Sequence, residues 1–181
     1  MQLDADYLAG LETRRQAGLK VCVVETSTGG FRGSAEHCFL VDSTALQPSQ
    51  VWWYTGGQLG LVFCADEAWV EKPLQLISTW DGDELSMIRC NHHLRAAFRG
   101  RNDVADRSEQ LATAVASLPG ATACGLQAFV PCDAPDEFVE ELAASGLIVK
   151  QRRTGISLVP ALNVSREELA RGLDLLRRRL A

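Results

Sequence analysis

The sequence predicts an α/β fold, and three observations predict it. A short β-branched apolar run, Lys20-Val21-Cys22-Val23-Val24, follows directly on a segment whose apolar residues fall at helical spacing. Two further apolar runs, one around Val51 to Tyr54 and one from Gln58 to Cys64, come after a loop, so the order helix, strand, loop, strand, strand reads as the end of an α/β layer. Beyond about residue 83 the pattern changes to longer helical stretches separated by short strands, as in a compact α+β unit. The predicted division is therefore 1–82 for a partial α/β layer and 83–181 for a smaller α+β domain.

Helix 4–17 comes first. Tyr7, Leu8 and Leu11 share a face, Asp4 or Asp6 caps the start and Gly18 supplies the stop. The run Lys20 to Val24 has no polar alternation, which predicts a strand buried on both faces of a parallel sheet. E-T-S-T-G-G-F-R-G, from Glu25 to Gly33, is a turn, and Trp52 and Trp53 in the next strand pack one toward each face of the sheet. Asp81 and Asp83 around Gly82 form a turn and a cap, followed by a helix over 83–98 and a second, alanine-rich helix over 104–118 that Pro119-Gly120 stops. A-C-G-L-Q-A-F-V-P, ending at Pro131, reads as a strand, and P-D-E-F-V-E-E-L-A-A-S-G as a helix with Gly146 at its stop. G-L-I-V-K and G-I-S-L-V are short strands. Ser165 and Glu168 form a capping box for the last helix, whose apolar face is Leu169, Leu173, Leu176 and Leu180, with Arg177 to Arg179 opposing its negative end.

Composition narrows the function classes. A formal net charge of −5 gives no support for nucleic acid or an anionic membrane as partner. No apolar run approaches the roughly 20 residues that span a bilayer, and M-Q-L-D-A-D-Y-L lacks a secretory pattern, so the expectation is a cytoplasmic protein. The six cysteines show no C-x-x-C pair and predict reduced thiols rather than a zinc site. Only three lysines, Lys20, Lys72 and Lys150, stand against fifteen arginines, which matters because lysine is the residue of Schiff-base chemistry.

Several candidate sites are weak on their own. T-G-G-F-R-G from Thr28 lacks both the spacing and the lysine of a phosphate loop and reads as a plain turn. His92 and His93 are adjacent on a helix and point to different faces, so they do not converge on one metal. Glu36, His37 and Cys38 have the side chains for acid–base work but no located partner.

The order of the pieces says more. Tyr7 to Leu11 through Gly18, then Val21 to Glu25, Thr28-Gly29 with Arg32, Pro48, Val51 and Gln58, Ser78-Thr79-Trp80 before Asp81-Gly82, and the ending L-V-P-A-L-N-V-S-R-E-E-L stand in the order of a known family. Over nearly its whole length the chain resembles the C-terminal half of a class III aminotransferase, a fold-type I enzyme using pyridoxal phosphate (PLP), and most resembles the lysine 6-aminotransferase branch. The resemblance implies the later part of a fold-type I large domain followed by the α+β small domain.

The departures bear on activity. By resemblance, Val24 stands where an aspartate pairs with the pyridine nitrogen of PLP, Thr55 (or Gly56) where the Schiff-base lysine stands, and Ser157 where an arginine grips the substrate carboxylate. Arg152 and Arg153 lie just upstream of that last position. Thr79, with Ser78 beside it, matches a threonine that reaches across the dimer to the partner's PLP phosphate, and Lys72 is the one lysine near enough in sequence to consider as a replacement. The family's N-terminal half, with its phosphate-binding turn, has no counterpart here, which leaves a strand edge and a packing face uncovered. The expectation is thus a degenerate aminotransferase-like chain, inactive alone, without PLP of its own, acting as partner to itself or to a full-length or complementary aminotransferase chain. The alternatives are one half of a split PLP-dependent aminotransferase with a lysine-like substrate, PLP then binding only in the complex, or a PLP-free enzyme using Thr55, His37, Glu36, Glu25 and Arg152.

Overall fold

The computed structural model describes residues 4–54, 60–69, 71, 83–133 and 136–180. Helix α1 (Ala5–Gln16) is capped by Asp4, whose carboxylate accepts the Asp6 amide at 3.0 Å, and ends before Gly18 at φ +102°. Its Glu12 carboxylate accepts from the Arg15 guanidinium at 2.8 and 2.9 Å and from the Gln47 amide at 3.0 Å. These donors hold the Glu12 carboxyl down at about 2 and tie α1 to the loop ahead of the second strand.

Strand β1 (Cys22–Val24) pairs in parallel with β2 (Gln50–Tyr54), and β2 pairs antiparallel with β3 (Gly60–Cys64). One face of this sheet is covered. Val51 and Trp53 point into a cluster with Leu8, Phe39, Val41 and Leu46, and Phe39 meets the Trp53 ring edge-on at 5.7 Å between centroids.

Among the described residues, no element covers the other face. Val24 is 62% exposed, Trp52 48%, Tyr54 53% and Val62 53%, and these residues share one face of the pleat through the pairs Val24↔Trp52 and Trp52↔Val62. The expectation that β1 is buried on both faces is therefore corrected: Val23 turns inward while Cys22 and Val24 face outward with no described element over them. Likewise Trp53 packs, and Trp52 stands half exposed.

Residues 83–115 bring a second correction. The predicted pair of helices is a single 32-residue helix, α2 (Glu84–Val115), capped by Asp83. The expected break at R-G-R-N-D does not form because one glycine costs a helix only about 1 kcal/mol. Arg101 also spans the spot, donating to the Phe98 carbonyl at 2.8 Å and lying 4.2 Å from the Phe98 ring centroid. Leu94 packs on the first core, whereas Val104, Leu111 and Val115 belong to the second.

The second sheet is antiparallel, in the order β4 (Thr122–Ala123), β5 (Ala128–Pro131), β7 (Gly155–Leu158), β6 (Lys150–Arg152). The stretch expected as one strand up to Pro131 is a hairpin, because Gly125 at φ +55° turns the chain and the Leu126 amide donates to the Arg32 carbonyl at 2.8 Å. Helices α3 (Asp136–Ala144) and α4 (Arg166–Leu180) complete the unit. Leu126, Leu142, Ile156 and Leu176 are fully buried in its core. The capping box forms in both directions, Glu168 amide to Ser165 Oγ at 3.1 Å and Ser165 amide to Glu168 Oε2 at 2.9 Å. Among the described residues no helix is long and apolar enough to cross a membrane.

Arg32 ties the two units together. Its carbonyl takes the Leu126 amide, and its guanidinium donates to the Pro160 carbonyl. Burial pushes the Arg32 pKa down, as expected for a cation held in a protein seam.

Candidate functional site

The site is built around the turn that leaves β1. Glu25, the first residue past the strand, is 3% exposed. Its carboxylate accepts from the Leu40 amide at 2.8 Å, the Val41 amide at 2.7 Å and the Thr28 hydroxyl at 2.8 Å. A single buried acid thus folds the whole excursion from 26 to 41, and its lone pairs are committed to that task. The T-G-G sequence has a packing reason as well. A Cβ on Gly29 meets the Trp53 ring at 2.8 Å, and one on Gly30 (φ +71°) meets it at 2.7 Å. The two glycines are the surface on which the Trp53 indole lies.

Opposite this turn stands the second sheet, and between them runs a cleft of about 780 Å³. Ser27 and Thr28 form one wall, while Thr122, Phe129, Arg152 and Ser157 are on the other. Strands β6 and β7 are joined by a two-residue turn at Arg153-Thr154, with Arg152 paired to Gly155 and Lys150 to Ser157. In that register Arg152 is diagonal to Ser157, and its Nε donates to the Ser157 hydroxyl at 2.9 Å.

The sequence-predicted residues fall into three groups. Thr55, Gly56, Gln58, Lys72, Ser78 and Thr79 lie outside the described residues. Val24 ends β1 with its side chain exposed on the bare sheet face, and Ser157 is a half-buried member of β7 holding Arg152. The remaining candidates do not converge. The His37 amide donates to Ser34 Oγ at 3.3 Å, and among the described residues no hydrogen bond joins its ring to Glu36. His92 and His93 are exposed on α2. Burial pushes the Cys38 and Cys124 thiols up, away from the reactive thiolate form.

No lysine and no carboxylate is part of the described lining of this cleft, and Val24 offers no acid to a pyridine nitrogen. The contact that sequence reasoning missed is Arg152 on Ser157. The signal for it is present in K-Q-R-R-T-G-I-S, which reads as a tight hairpin once the turn is placed at Arg153-Thr154.

No protein-family model and no curated protein matches the sequence. Solved structures do match. An (S)-enantioselective omega-transaminase from Thermomicrobium roseum aligns at 21% identity and TM-score 0.78, over 96% of this chain and 46% of its own. Lysine aminotransferase from M. tuberculosis aligns at 19% and 0.79, over 99% and 46%. Ornithine delta-aminotransferase from Plasmodium falciparum aligns at 16% and 0.79, over 98% and 51%. The chain therefore spans about half the length of the solved structures it matches, at identities that speak for architecture alone. The chain therefore has the α/β fold of about half of such an aminotransferase.

Proposed function

We propose that this chain is a non-catalytic aminotransferase-fold subunit that works in the cytoplasm by assembling with another protein chain, its own copy or one carrying a complementary part of such a fold. One observation carries the reading: the outward face of β1–β2–β3, which no described element covers, with Val24, Trp52 and Val62 about half exposed or more. Parallel pairs such as β1–β2 are ordinarily covered on both faces, and full burial of each such side chain is worth about 1.5–3 kcal/mol. A covering partner supplies that burial and also pairs the edge of β1 that no described strand occupies. Val24 in place of an acid, and a cleft whose described walls carry no lysine, support the non-catalytic part.

The test is borohydride reduction of the purified chain mixed with PLP, followed by peptide mapping. The expected result is no reduced PLP–lysine adduct at any specific position of the chain; a single labelled lysine overturns the reading. The split-enzyme reading has its own support in the intact Glu25 turn, which keeps the cleft wall in shape. If co-expression with a complementary chain yields amine transfer, that second reading replaces the first.

A further inference from the structure

We propose that two copies of this chain pair through a contact separate from the bare sheet, in which the outward face of α2 around Arg95 and Arg99 docks on the acidic face of α3 of the second copy. The charges are sorted along the chain in a way that suits such a contact. Residues 85–102 hold Arg89, Arg95, Arg99 and Arg101 and no acid, in a chain of net charge −5. Residues 108–149 hold no lysine or arginine, and Asp133, Asp136, Glu137, Glu140 and Glu141 crowd into nine positions of that stretch. Arg95, Arg99, Asp136 and Glu140 are all exposed, and none of the ion pairs among the described residues involves them. Arg95 gives its Nε–H to Asn91 at 3.0 Å, which steadies the side chain and leaves its terminal nitrogens to a partner. The spacing matches as well. Arg95 and Arg99 stand four residues apart on α2, and Asp136 and Glu140 four apart on α3, so each pair spans about 6 Å along its helix. Like charges at that spacing repel within their own helix, and facing the opposite pair relieves both.

An aromatic anchor stands beside the two arginines. Phe98 is 54% exposed, although Phe31 meets its ring edge-on at 5.8 Å between centroids and Arg101 lies over it at 4.2 Å. Phe31 takes a left-handed φ of +67° to reach that place, a conformation a bulky residue rarely adopts. With Arg95 and Arg99 the two rings line a shallow depression of about 340 Å³. On α3, Ala143 and Ala144 are exposed on the face that carries Asp136 and Glu140, and their small side chains leave room for a ring. Single exposed ion pairs contribute little, whereas charge pairs set around a buried aromatic ring have the form of an interface centre. The occupant is a second copy because the matching acids, their spacing and the small residues beside them are all on this chain. Each copy carries both surfaces, so a two-fold pair makes the contact twice. The outward face of β1–β2–β3 takes no part, and the contact stands or falls independently of what covers that sheet.

The experiment is sedimentation equilibrium of the full chain carrying Trp52→Lys and Val62→Glu, which takes the bare sheet out of the measurement, at about 0.1 M and about 1 M sodium chloride. The expected result is a dimer whose dissociation constant rises at least tenfold at the higher salt. In that background Arg95→Glu with Arg99→Glu gives a monomer, and so does Asp136→Lys with Glu140→Lys. Mixed in equal amounts, the two swapped chains form a heterodimer, because the reversed α2 of one meets the reversed α3 of the other while their unchanged faces also meet. Phe98→Ala weakens the dimer severalfold. The swapped positions are all exposed, and recovery of the dimer on mixing separates a lost contact from a lost fold. A monomer before any swap, a dimer indifferent to salt or to either swap, or swapped chains that stay apart when mixed each overturns the proposal.

Discussion

At the scale of single residues, Glu25 organises the site. Three donors, two of them backbone amides, converge on a carboxylate that is almost fully buried. Glu25→Ala leaves those donors without an acceptor, and the expected loss is about 3 kcal/mol of unfolding free energy, read as a lower urea midpoint at unchanged slope. Glu25→Gln keeps one acceptor oxygen and loses less. Val24 and Ser157 were singled out from the order of their neighbours, and they lie at the end of β1 and within β7. The Ser165–Glu168 capping box was legible in the sequence, since all its partners lie within four residues. The Arg152–Ser157 contact was not. It depends on hairpin register, and the strand expected over G-L-I-V-K ends where β6 begins. A shift of a few residues hides which side chains meet across a turn.

At the scale of elements, local signals served where local physics decides. Asp4 and Gly18 bound α1, Gly146 follows the end of α3 and the Ser165–Glu168 box starts α4, and all three helices were predicted. Helix α2 was split in two because Gly100 sits in a polar stretch that reads as a linker, yet packing against both cores carries the helix through. An added methyl at Gly100 meets nothing within 4 Å. Gly100→Ala is therefore expected to stabilise the protein by about 0.5–1 kcal/mol, seen as a higher melting temperature by circular dichroism at 222 nm. The hairpin at 122–131 was hidden for the opposite reason. Its turn is set by a contact with Arg32, about ninety residues away in sequence, and tertiary contacts of that span leave no mark in a local pattern.

At the scale of the whole molecule, composition and element order gave the α/β class. They did not reveal how α2 is shared between the cores, nor which side chains would stand on the uncovered face. That face makes a prediction of its own. Trp52→Lys with Val62→Glu places opposite charges on directly paired positions, replacing apolar surface without a like-charge clash. The double variant is expected to weaken association with itself or a partner at least tenfold in sedimentation, while its melting temperature stays within a few degrees of the parent. Association that persists unchanged places the contact elsewhere. The shared helix has a mechanical consequence. At 32 residues α2 is about 48 Å of stiff rod, gripped near one end by the first core and along the other by the second. The Arg32 seam lies beside it like a pivot. One rod thus carries packing residues of both cores, Leu94 against the first and Val104, Leu111 and Val115 in the second, so strain on either core reaches the other along a single helix.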